Sequence, residues 1–104
     1  MTEVADISLE TLVGKLRELA PSLKAAGVTR LYLFGSRVRG DARSDSDLDV
    51  LVETGDRGGP QRFDYFGIQQ MIENYVGIRV QISIRDLLKP RVAERIADDL
   101  VEVF

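Results

Sequence analysis

The residues best suited to chemistry lie in one stretch, Phe34-Gly35-Ser36-Arg37-Val38-Arg39-Gly40-Asp41-Ala42-Arg43-Ser44-Asp45-Ser46-Asp47-Leu48-Asp49. Gly35 permits a sharp backbone turn and the close approach of a ligand. Ser36 suits the start of a short helical turn that Gly40 can end. Free backbone N–H groups and a hydroxyl at such a start form an anion cradle. Arg37 and Arg39 add positive charge nearby. Asp47 and Asp49 are two apart in a β-prone run, so both carboxylates project from one face, with alpha carbons roughly 6–7 Å apart. Like charges so placed repel, and a hard, oxygen-bound cation such as Mg²⁺ or Mn²⁺ relieves the repulsion. A Gly-Ser turn alone is commonplace, and an Asp-x-Asp alone is a solvated strand face. Together they are the equipment for holding a nucleoside triphosphate with its Mg²⁺ for in-line attack at phosphorus.

Composition narrows the alternatives. The 104 residues suffice for one domain spanning 1–104 with one modest core. Lys plus Arg is 14 against 17 Asp plus Glu, a formal net charge of −3, which disfavours nonspecific binding to nucleic acid. Cys and His are both absent, which removes disulfides, thiolate zinc sites, Cys nucleophiles and His general bases. Acid–base work falls to carboxylates, Lys, Tyr or Arg. The start, MTEVADISLE, has no apolar run and does not read as a signal peptide. No stretch approaches the roughly 18 apolar residues of a membrane span. A cytoplasmic location is expected, without membrane attachment. No Walker-type Gly-x-x-x-x-Gly-Lys run is present. A basic groove with interleaved aromatics, as a template-directed polymerase needs, is also missing.

The elements that must position these residues are legible in outline. Leu9, Leu12, Val13, Leu16, Leu19, Ala20 and Leu23 paint a helical stripe over about Ser8–Ala26, capped by Asp6 or Ser8, interrupted at Pro21 and ended by Gly27. Arg30–Phe34 reads as a strand ending at the Gly-Ser bend. Asp47–Glu53 reads as the next strand, with Leu48, Val50 and Val52 on one face and Asp47, Asp49 and Leu51 on the other. A turn-rich loop over 54–60 is expected to be mobile. Phe63–Val76 returns to helical spacing and stops at Gly77. Val80–Ile84 alternates again with Val80, Ile82 and Ile84 inward, Pro90 opens a helix to about Asp98, and Leu100–Phe104 can add an edge strand. This alternation predicts an α/β fold with helices packed on a small sheet.

The run GSRVRGDARSDSDLD resembles the signature of the DNA-polymerase-β-like nucleotidyltransferase superfamily, Gly-Ser followed by Asp-x-Asp. Within it the chain is similar, nearly end to end, to the minimal nucleotidyltransferase (MNT) group. That resemblance implies a small mixed β-sheet with helices on it. It implies ATP or another nucleotide as substrate with Mg²⁺, Asp47 and Asp49 as catalytic metal ligands, and Gly35, Ser36 and Arg37 around the triphosphate. It also implies a role as antitoxin partner of a HEPN-domain ribonuclease toxin, in a hetero-oligomer, with nucleotidyl transfer to that protein.

One position departs from the family pattern. The resemblance places a third carboxylate on a later strand, where Gln81 stands in Val80-Gln81-Ile82-Ser83. Glutamine offers a neutral carbonyl oxygen but no charge and no base. Two readings follow: a slowed transferase, or a domain that acts by binding alone. Asp86 is a remote substitute for the lost charge. A stand-alone nucleotide-binding regulator is a third reading. A chain this short has no second lobe to grip an acceptor, so a folded protein partner is expected to present it. Outward apolar residues such as Leu51, Tyr65 or Phe104 are candidates for that interface.

Overall fold

A computed structural model describes residues 7–43, 45–55 and 64–104. Helix α1 (Leu9–Glu18) is capped by the Ser8 hydroxyl, which accepts from the Thr11 N–H. The expected break then falls at Leu19, and α2 (Ala20–Ala25) carries Pro21 in its first turn, where a missing N–H costs nothing. Strand β1 (Val28–Phe34) runs into the four-residue helix α3 (Ser36–Arg39), followed by β2 (Leu48–Thr54). Helix α4 (Tyr65–Val76), N-capped by Asp64, leads to β3 (Val80–Ile84) and a 3₁₀ turn over Arg85–Leu87. Helix α5 (Pro90–Ile96), a second 3₁₀ turn (Ala97–Asp99) and β4 (Val101–Glu102) complete the chain. Residues 56–60 of the turn-rich loop, together with Asp6 and Phe63, lie outside the described residues.

The sheet is mixed, in the order β3-β2-β1-β4. β1 pairs antiparallel with β2 and β4, whereas β2 and β3 are parallel and joined through α4. Register divides the sheet into two faces. Leu31, Leu33, Val50, Val52, Val80 and Ile82 turn to one side and are buried against α1, α2 and α4. Leu12, Leu16, Ile68 and Ile72 complete that core. The other face carries Tyr32, Phe34, Asp49, Leu51, Gln81 and Ser83. Among the described residues no helix is long and apolar enough to cross a membrane.

The apolar residues expected at an interface are placed differently. Leu51 is on the predicted face but only 1 % exposed. Its register partners are Tyr32 and Ser83, and the turn after β3 packs back onto β2. There the Arg85 guanidinium sits 5.1 Å from the Tyr32 ring and 3.0 Å from Glu53, which also accepts from the Tyr32 hydroxyl at 2.8 Å. Tyr65 is half-buried and donates to the Ile82 carbonyl, and Phe104 packs against the core beneath Lys24. Among the described residues, the large apolar side chains that face solvent are Phe66, Leu87 and Tyr75.

Candidate active site

The expected meeting of the two motif halves takes place on the open sheet face. Phe34 and Asp49 are register partners across β1 and β2, so Gly35 leaves β1 directly beside Asp49. Gly35 has φ 84° and ψ −158°, a conformation that is essentially glycine's alone. A β-carbon there would collide with the Asp49 carboxylate. The bend and the acid therefore fit only because position 35 lacks a side chain. From Gly35 the chain enters α3, whose turn is closed by Val38 and Arg39 N–H groups donating to the Gly35 carbonyl. Gly40, at φ 86°, ends it. Ser36 is the first residue of the turn, with Gly35 as its cap.

Asp49 is half-buried. Burial above all, and then the charge of Asp47, raise its carboxyl above the ordinary carboxylate range, while Arg39 partly offsets them. The two acids thus sense one another as the spacing predicts. Asp47 leans toward Arg79, whose Nε lies 3.8 Å from its Oδ1, a loose and exposed contact. Asp49's own register partner on β3 is Gln81. The position expected to hold a third carboxylate therefore stands next to Asp49 and is neutral. Among the described residues no three acidic, His or Cys side chains converge on a metal position. Asp86 is exposed in the turn past the far end of β3, five residues beyond Gln81. The donor set on this face is two carboxylates and an amide oxygen. That set suits Mg²⁺, which takes one or two protein carboxylates and fills its remaining positions with phosphate oxygens and water.

A cleft of about 450 Å³ opens beside Asp49, walled on one side by Gly35 and Ser36. Its cations are Arg39, from the end of α3, and Arg95, from α5. Asp99 lines it too and holds Arg39 at 3.0 Å. Arg37 is not among its lining residues. The residue is only 8 % exposed, and its guanidinium donates through Nε and Nη2 to the Ser46 carbonyl, at 3.2 and 2.8 Å. Arg37 thereby ties α3 to the residue before the Asp pair. Ser46 is a turn former whose hydroxyl accepts from the Arg43 N–H, and Asp45 is exposed. Replacing Arg37 by Ala is expected to leave the Ser46 carbonyl unpaired and cost about 1–3 kcal/mol. Thermal unfolding should then fall by roughly 4–8 °C per kcal/mol. Arg39→Gln, which removes only exposed ion pairs, should melt near the wild type.

A mixed four-stranded sheet with helices on one face, and a Gly-Ser bend set against paired aspartates on the other, defines a nucleotidyl-transferring class of fold. The nucleotidyltransferase domain family matches residues 9–103. The chain is 32 % identical over 77 residues to the protein adenylyltransferase MntA of Thermococcus cleftensis, covering 74 % of this chain and 76 % of that one. A solved candidate minimal nucleotidyltransferase superposes with a TM-score of 0.73 at 37 % identity, over 92 % of this chain and 96 % of the other. A toxin–antitoxin structure with AMP-PNP shares the fold at a TM-score of 0.69 and 17 % identity, over 88 % and 72 % of the two chains. The chain belongs to the nucleotidyltransferase domain family, as a member of its minimal type.

Proposed function

We propose that this domain binds ATP with Mg²⁺ and transfers the nucleotidyl group to a hydroxyl of a partner protein, a HEPN-type toxin for which it serves as antitoxin. The observation that carries this reading is the Asp49 carboxylate, raised in pKa beside Asp47 and seated over the one glycine that makes room for it. Asp47 and Asp49 would hold the cation, which would neutralise phosphate charge and fix the triphosphate's orientation. Gly35 and Ser36 face the phosphates. In the reaction the acceptor oxygen bonds to the α-phosphorus, the bond to the β-phosphate oxygen breaks, and pyrophosphate departs. The acceptor proton goes to water or to a group on the partner, because Gln81 cannot take it. The partner relation is supported by the similarity to a protein adenylyltransferase and to a toxin–antitoxin structure.

The test is to incubate the chain with labelled ATP, Mg²⁺ and the neighbouring-gene product. Transfer of label to that protein is expected, and it should cease without the divalent ion. Gln81, the uncharged register partner of Asp49, favours a second reading in which the domain neutralises its partner by binding alone. The two separate cleanly. Gln81→Asp restores a potential base, a group typically worth about 10²–10⁴-fold in rate, and should raise labelling by up to that factor. Label transfer by Gln81→Asp with none from wild type would refute native catalysis. If the double variant Asp47→Asn, Asp49→Asn still binds and neutralises the partner, the binding reading holds.

A further inference from the structure

Among the described residues the sheet ends in two edge strands, β3 and β4, and they are protected in different ways. β4 is two residues long, and its Glu102 pairs with Arg30 at 2.8 Å. A short, charged edge discourages the addition of another strand. β3 has neither defence. Its five residues, Val80-Gln81-Ile82-Ser83-Ile84, are uncharged and β-branched at alternate positions, a composition that recruits a further strand. Parallel pairing decides which backbone groups face away from the sheet. The Leu48 N–H donates to the Arg79 carbonyl, so Arg79, Gln81 and Ser83 turn their groups to β2, while Val80, Ile82 and Ile84 turn theirs outward.

Side chains of α4 meet those outward groups. Tyr65, Gln69 and Glu73 recur every four residues and form one stripe, beside the buried stripe of Ile68, Ile72 and Val76. The Glu73 carboxylate accepts from the Val80 N–H at 2.9 Å. The Gln69 amide donates to the Val80 carbonyl at 2.8 Å, and the Tyr65 hydroxyl donates to the Ile82 carbonyl at 3.2 Å. All three side chains are half-buried. Three of the four outward groups on Val80 and Ile82 are thus satisfied from within the chain, and the fourth, the Ile82 N–H, stands between filled positions. We infer that the Tyr65–Gln69–Glu73 stripe closes the β3 edge against strand addition by a second copy of this chain. Each bond adds little net stability over hydration, but it withholds a backbone group that an incoming strand must have. This role is independent of nucleotide binding.

The experiment measures self-association of the full chain and of the triple variant Tyr65→Phe, Gln69→Ala, Glu73→Ala by analytical ultracentrifugation across concentration, with amide hydrogen exchange on the same samples. The triple variant should associate more tightly than wild type by about tenfold or more, the worth of one or two hydrogen bonds. Its Ile82 amide should gain protection as concentration rises, because edge pairing gives that donor an acceptor. Gln70→Ala, which removes only an exposed bond to Asn74 within the same helix, should behave as wild type. If circular dichroism shows the triple variant unfolded, Tyr65→Phe with Gln69→Ala, which keeps Glu73, is read by the same criteria. A folded variant that associates no more than wild type overturns the proposal. Association that leaves the Ile82 amide unprotected overturns it too, because the copies then meet elsewhere. Wild-type chains that associate with gain of protection at Ile82 overturn it as well, since the edge is then open.

Discussion

Asp49→Asn should abolish nucleotidyl transfer while making the free protein more stable. The two effects share one cause. Asp49 is an acid held half-buried and beside a like charge, with only Arg39 to offset them. On the proposed reading, its charge is what a divalent cation with its triphosphate requires. A bound cation supplies several kcal/mol of transition-state charge stabilisation, so losing a carboxylate ligand should lower the transfer rate by about 10³-fold, at 1.36 kcal/mol per tenfold. Without ligand, the same charge opposes folding. The folded-state pKa lies above the unfolded value near 3.8, so the native state binds the proton more tightly. Asp49's contribution is thus most favourable below the unfolded pKa and is lost as pH rises through the folded one. At neutral pH the Asn variant should melt above wild type. Below about pH 3.8 the difference should vanish. Melting curves of both proteins across pH, in the presence of a chelator, check this. An Asn variant that melts lower at neutral pH would show that Asp49 is held by a favourable partner.

Gly35→Ala should be strongly damaging. Its backbone lies in a region that costs a residue with a side chain about 1–3 kcal/mol, and the new methyl group would strike the Asp49 carboxylate. Relief requires either β1 to end differently or Asp49 to swing away. The melting temperature should drop by about 4–8 °C for each kcal/mol lost, and the surviving folded fraction should lose Mg-dependent ATP binding. Thermal scans with calorimetric titration measure both. Gly27→Ala serves as a comparison: it also has positive φ, but its Cβ would meet nothing within 4 Å. It should lower stability alone and leave nucleotide binding intact.

The parts of the fold written in local pattern were legible. The break in the leading helix follows from Pro21, the end of α4 from Gly77, and the core faces of β2 and β3 from strict alternation at Leu48, Val50, Val80 and Ile82. The opposition of Gly35 to Asp49 follows from two motifs at adjacent strand ends. What escaped depended on chain segments that return from a distance. Alternation places Leu51 outward, but cannot show that a 3₁₀ turn 34 residues later folds over it. The periodicity of a four-residue helix does not tell which of two arginines turns inward. Arg37 goes to the Ser46 carbonyl and Arg39 to the cleft. Arg95 and Asp99 sit in a tail with no motif of its own, and the antiparallel pairing of β4 with β1 and the Arg39–Asp99 contact carry that tail to the site.

The Gly35 bend and the two aspartates all belong to one antiparallel hairpin, residues 28–54, whereas position 81 reaches them only through a parallel crossover. The bend and the acid pair are thus linked by local chain closure, whereas the amide at position 81 is joined to them through the crossover that contains α4. Position 81 meets the acid pair from a separate strand, and no hydrogen bond of its side chain is needed to close the Gly35 turn. On the proposed reading, a single codon at position 81 would thereby tune turnover separately from the bend and the acids that hold the ligand.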